Sequence, residues 1–173
     1  MRPPAIAVFG IGGLLALLAP AAFPAPPRLV WNATASAPEG LYRLQLARRL
    51  SVGDWIAVRP PPVLATWLSA RGYLPSGALL IKRVGALTPS HVCRDGDHVT
   101  INGATAAIAE RRDRFGRPLP VWRGCMALGS DEVFVLNPAP GSLDSRYFGP
   151  LPRGRVVGRA TPLWLLQDPH HGR

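Results

Sequence analysis

HVCRDGDHVTINGATAAI, residues 91–108, decides the fold class. Asp95-Gly96 marks a turn, and Asn102-Gly103 is a strong signal for a tight hairpin, because such turns need residues that tolerate positive φ. The stretch therefore predicts paired strands. Reading outward, ALLIKRV (78–84) predicts a mostly buried strand, and SVGDWIAVRP (51–60) a strand closed by three prolines. EVFVLN (132–137) and RVVGRATPLWLL (155–166) predict late strands. VLATWLSARG (63–72) predicts a short helix, with Pro61 and Pro62 suited to its first turn and Gly72 to its C-terminal end. The 20 prolines and 18 glycines favour many short strands and turns. A chain of 173 residues, 47% hydrophobic, is long enough for one domain with a real core plus an appendage. The expected class is mostly β with one or two short helices.

The appendage is N-terminal. Residues 4–23, PAIAVFGIGGLLALLAPAAF, carry no charge, and a helix of that length spans the ~30 Å hydrocarbon core of a bilayer. A cleaved signal peptide and a retained anchor are both open. Prolines at 20, 24, 26 and 27 crowd the region where cleavage would fall, and they favour one uncleaved transmembrane helix. The expected division is a membrane anchor and linker at 1–27 and a domain at 28–173. The net charge of +10 suits a nucleic-acid or anionic-lipid neighbour. The arginines are scattered, however, and no nucleic-acid motif is present, so the bilayer is the expected partner and nucleic acid is not. The densest basic cluster, RRDRFGR (111–117), reads as a solvated loop. Cys93 and Cys125 leave two readings, one disulfide in an oxidising compartment or two buried thiols. His91, Cys93 and His98 lie close in sequence, as do His170 and His171 at a tail expected to be disordered, but neither group has metal-ligand spacing. No metal and no cofactor is expected.

Among 19 arginines stands one lysine, Lys82. Arginine stays protonated at any biological pH, whereas a desolvated lysine can lose its proton and act as a base. Alternation on a strand puts Lys82 on one face with Leu80 and Val84, opposite Leu79, Ile81 and Arg83. An apolar face disfavours the ammonium. The other reading is a lysine that snorkels to the strand edge. A lysine base would activate a hydroxyl, as in Ser-Lys hydrolases. The chain has eight serines, of which Ser36, Ser142 and Ser145 lie in the most suggestive settings.

Three phrases in chain order narrow the choice: TASAPEGLY (34–42), LLIKRVGAL (79–87) and SLDSRYFGPLPRGRVVGRA (142–160). Together with DEVFVLN before the last of them, they resemble the type I signal peptidase family, most closely its conjugal-transfer, TraF-type pilin peptidase branch. The resemblance covers nearly the whole chain. It implies a signal-peptidase-like β fold and a serine endopeptidase with no cofactor. The peptidase would be held by a single pass in the bacterial inner membrane, with its catalytic domain in the periplasm. The implied substrate is a pilin or another exported protein, released as a linear product or closed by transpeptidation into a cyclic one. The resemblance makes Ser36 the nucleophile and Lys82 the general base. It makes Thr34 a helper of the oxyanion hole at the Ser36 N–H, and Ser142 the residue that orients the lysine. Asp144 and Arg146 become an ion pair, catalytic or bracing. The chain departs from general signal peptidases where Ala37-Pro38 directly follows Ser36, where VGALTPSH follows Lys82-Arg83, and at LNPAPGS. These departures favour the conjugal branch over a general leader peptidase. A non-catalytic component of a secretion channel on the same fold is the other alternative, and it predicts loss of the Ser-Lys pair.

Overall fold

A computed structural model of the chain describes residues 28–47 and 49–166. The apolar run at 4–23 and the His170-His171 pair lie outside the described residues. Among the described residues, no helix is long and apolar enough to cross a membrane.

The domain is mostly β. Its strands are β1 (Leu29–Asn32), β2 (Gly40–Gln45), β3 (Trp55–Val58), β4 (Leu80–Ala86), β5 (His91–Asp95), β6 (His98–Ile101), β7 (Ala104–Ile108), β8 (Gly124–Ala127), β9 (Glu132–Val135), β10 (Leu151–Pro152) and β11 (Val156–Leu165). Two short helices interrupt them, α1 (Pro62–Ala70) and α2 (Ser145–Phe148). A seven-stranded sheet runs in the order β1-β2-β11-β3-β4-β9-β10, and a four-stranded sheet in the order β7-β6-β5-β8. The Asp95-Gly96 and Asn102-Gly103 turns join β5, β6 and β7 as expected, with Asn102 and both glycines at positive φ. Helix α1 has Pro62 in its first turn, and Gly72, at φ +70°, lies just beyond its end.

The strand pattern follows burial. Val133, Phe134 and Val135 are all buried, because β9 packs Val133 and Val135 with Ile56, Val58 and Val84 while Phe134 points into the cluster of Val92, Val99, Leu128 and Tyr147. A strand buried on both faces reads as a continuous apolar run, not as an alternation. The sequence reading missed the β1–β2 hairpin, inside a stretch rich in proline and alanine. Its exit depends on Gly40 at φ +146°, where any Cβ would collide with the Trp164 carbonyl oxygen on β11. Only glycine allows β2 and β11 to come that close.

The small sheet is locked internally and docked on α2. Cys93 lies directly opposite Cys125 in the β5–β8 register, and the two form a disulfide. Of the two readings of the cysteines, the disulfide is therefore the one found, and Cys93 is not available as a thiolate beside His91 and His98. The bridge closes a separation of 32 residues, which stabilises by roughly 3–4 kcal/mol in a chain-entropy account. Arg94, buried beside it, donates from Nη1 to the Arg146 carbonyl at 2.6 Å, and the Trp122 indole donates to the Ser145 carbonyl at 3.0 Å. In the arginine-rich loop at 111–117, Asp113 accepts from the backbone N–H groups of Phe115 and Arg117, from the Arg117 guanidinium and from the Tyr73 hydroxyl. Arg111, Arg112 and Arg114 stay exposed, so the cluster is a solvated loop with one inward strut, Arg117.

Candidate active site

Ser36 sits in the loop at 33–39 that joins β1 to β2. That loop is braced from inside. Asn32, the last residue of β1 and 6% exposed, shares its amide hydrogens among the carbonyls of Thr34, Ala37 and Pro38, each at 3.0 Å. Its Oδ1 accepts from the Thr34 backbone N–H at 3.2 Å and the Thr34 hydroxyl at 2.8 Å. The Tyr42 hydroxyl donates to the Pro38 carbonyl at 2.6 Å. A loop whose carbonyls are held by buried side chains does not need regular secondary structure to be rigid. Ser36 is half-buried, with Oγ at 3.4 Å from the Thr34 hydroxyl. The Thr34 hydroxyl hydrogen goes to Asn32, so Thr34 braces the turn.

Lys82 lies on β4 opposite Ile56 of β3, and it is 2% exposed. Leu80, Lys82 and Val84 are buried as expected; on the opposite face Arg83 is exposed but Ile81 is buried too, so the strand is covered on both sides there. Lys82 does not snorkel. Its Nζ ends 3.1 Å from Ser36 Oγ and 2.9 Å from Ser142 Oγ. Burial pushes the ammonium down from 10.5 to about 8, with Arg146 adding to the effect and the Asp144 carboxylate opposing it. Forcing a lysine to stay charged in such a place costs roughly 3 kcal/mol at neutral pH. A neutral amine held 3.1 Å from a hydroxyl is the arrangement that lets Ser36 Oγ lose its proton as it attacks a carbonyl.

Asp144 and Arg146 form a fully buried pair, with Arg146 Nε donating to Asp144 Oδ1 at 2.8 Å. Asp144 also caps α2 through the Arg146 backbone N–H. Its oxygens go to Arg146 and to the Asn137 backbone N–H, not to Ser36 or Lys82. Thus Ser36, Lys82, Thr34 and Ser142 converge at one place, while Asp144 and Arg146 stand one layer behind. Ser145 donates no group to the lysine; its hydroxyl accepts from the Val135 N–H at 2.9 Å. The sequence reading gave no role to two residues of the site, Asn32 and Asn137. Asn32 ends β1 and Asn137 lies just beyond β9, both common turn positions, and nothing local tells such a residue from a brace.

The geometry carries a pH prediction. A base must be neutral to work, so kcat/KM should climb tenfold per pH unit below about 8 and level off above it. Initial rates on a peptide substrate from pH 6 to 10 would check this. A profile already flat at pH 6.5 would mean that Lys82 is not the titrating base.

The family described as signal peptidase, peptidase S26, matches residues 5–165. The chain is 38% identical over 140 residues to a probable conjugal transfer protein TraF of Sinorhizobium fredii, covering 75% of this chain and 73% of that protein. It is 30% identical over 169 residues to a plasmid transfer protein TraF of Escherichia coli, covering 91% of this chain and 92% of that one. A crystal structure of a signal peptidase I from Enterococcus faecalis V583 aligns with a TM-score of 0.38 at 23% identity, covering 66% of this chain and 98% of that one.

Proposed function

Because this chain belongs to the peptidase S26 signal peptidase family, we propose that it is a membrane-anchored serine endopeptidase that cleaves a pilin or another exported protein during conjugative transfer. One observation carries the reading: a buried lysine, with its pKa held near 8, lies 3.1 Å from the Ser36 hydroxyl. Ser36 Oγ attacks the scissile carbonyl and Lys82 Nζ takes its proton. Lys82 returns that proton to the leaving amine, and an acyl-enzyme remains. Water, deprotonated by the now neutral Lys82 Nζ, attacks the acyl-enzyme, and the proton returns to Ser36 Oγ as the new carboxylate leaves. The Ser36 backbone N–H, helped by the Thr34 hydroxyl, stabilises the oxyanion. Ser142 holds the lysine amine in register. The names of the TraF relatives support a conjugal role over general leader processing. A non-catalytic channel component has no need of a desolvated lysine aimed at a serine. The apolar run at 4–23 would anchor the chain in the inner membrane, and the domain would then lie in the periplasm, beside exported substrates.

The test is co-expression with candidate pilins, followed by mass measurement. Cleavage that requires Ser36 supports the reading, and a product lighter by one water than the linear form identifies transpeptidation to a ring. Fusing a reporter active only in the periplasm to the C-terminus checks the topology in the same cells. Unprocessed pilins alongside an active Escherichia coli leader-peptide assay would point instead to a general leader peptidase.

A further inference from the structure

Ser36 and Lys82 are 46 residues apart in the chain. The β1–β2 loop that carries Ser36 and the strand that carries Lys82 are also not ladder neighbours, because β11 and β3 lie between β2 and β4. No strand ladder therefore fixes the distance between the hydroxyl and the amine. One residue spans the gap. Asn137, 1% exposed, donates from Nδ2 to the carbonyl of Ser36 itself at 2.6 Å and to the carbonyl of Ile81 at 3.3 Å. Its Oδ1 accepts from the Arg83 backbone N–H at 2.8 Å. The side chain thus holds the residue that carries Oγ and the peptide groups on both sides of Lys82. Its own backbone is clamped in turn: the N–H donates to Asp144 Oδ2 at 3.1 Å, and the carbonyl accepts from Arg146 Nη2 at 2.6 Å. All four polar groups of Asn137 are used, and all four lead to a segment of the candidate site.

We infer that Asn137 is the positioning residue that sets the Ser36–Lys82 distance, and that the Asp144–Arg146 pair serves the site by holding Asn137. This rests on the Ser-Lys reading above. It gives the buried ion pair a task without requiring either member to touch substrate. An asparagine that merely satisfied the core would need partners of any kind. Here the partners are the loop and the strand whose separation the chemistry depends on. A misplacement of about 1 Å between reacting groups costs roughly a hundredfold in rate, and the Nδ2 bridge is the direct hydrogen-bonded control on that separation.

Lys82 is the sole lysine of the chain, so biosynthetic 13C-lysine labelling yields one side-chain signal whose titration reports the site without any substrate. Four full-length proteins form a cycle: wild type, Ser36→Ala, Asn137→Ala and the double variant. In the wild-type background, Ser36→Ala should move the Lys82 midpoint by on the order of half a pH unit, as loss of one neutral hydrogen bond does. In the Asn137→Ala background the same change should move it by less than ~0.1 unit, because the hydroxyl and the amine are already apart. Processing of a co-expressed pilin should fall roughly a hundredfold in folded Asn137→Ala protein. If Asn137→Ala does not fold, Asn137→Ser, polar but too short to reach the Ser36 and Ile81 carbonyls, carries the same test. Full Ser36–Lys82 coupling in either folded variant overturns the inference, as does failure of both variants to fold, which would make Asn137 a core residue only. Coupling that disappears as expected, in a protein that processes no substrate, would uphold the positioning and sink the peptidase reading instead.

Discussion

Lys82→Arg should abolish processing while the protein still folds. At pH 7 most of the wild-type molecules already hold a cation at this position, since the lysine titrates near 8. Arginine adds bulk but no new charge. What it lacks is a removable proton at working pH. Loss of a member of a nucleophile–base unit costs on the order of 10⁴–10⁶ in kcat, so the variant should match Ser36→Ala in any assay of processing. Lys82→Met, similar in length and uncharged, should be equally inert and no less stable, because it removes the cost of a buried ammonium. Arg112→Lys and Arg114→Lys, on exposed side chains, should process normally. Processing by Lys82→Arg at a near wild-type rate would show that the Ser-Lys mechanism is wrong.

Asp144→Ala should have the largest effect on stability. Asp144 is 0% exposed and Arg146 2%. Removing the carboxylate leaves a guanidinium buried without its counter-ion, and such losses cost roughly 3–5 kcal/mol. The N-cap of α2 and the clamp on the Asn137 N–H go with it. Urea unfolding of the full-length protein in detergent, followed by tryptophan fluorescence, would measure the drop. In native buffer the folded fraction should also lose activity, because Asn137 is no longer held. A shift of less than about 1 kcal/mol would mean that Arg146 finds other partners, and its contacts with the Pro140 and Asn137 carbonyls would then be the main brace.

Much of this molecule is legible from local pattern. The two Gly-containing turns at 96 and 103 punctuate the small sheet because positive φ is a local demand that few residues meet. Lys82 stands out because alternation is also local: Leu80 and Val84 on the same face announce an apolar environment before any fold is known. Helix α2, at four residues, is too short for a 3.6-residue period to register, and the signal for it lies in its cap, Asp144.

The β1–β2 hairpin and the two asparagine braces belong to the tertiary structure alone. Leu29–Asn32 becomes a strand through pairing with β2, which is itself held by β11 from the far end of the chain. Cys93 and Cys125 were compatible with free thiols until the β5–β8 register set them opposite each other. Asn137 reaches Ser36 across 101 residues and Ile81 across 56. Leu80 and Val84 flank Lys82 on its own face, and so the chain itself singled out Lys82 as a candidate base. Where that lysine points, and how far it lies from the serine, is set by hydrogen bonds between segments that share no local pattern, because an asparagine's partners are chosen by the fold that surrounds it.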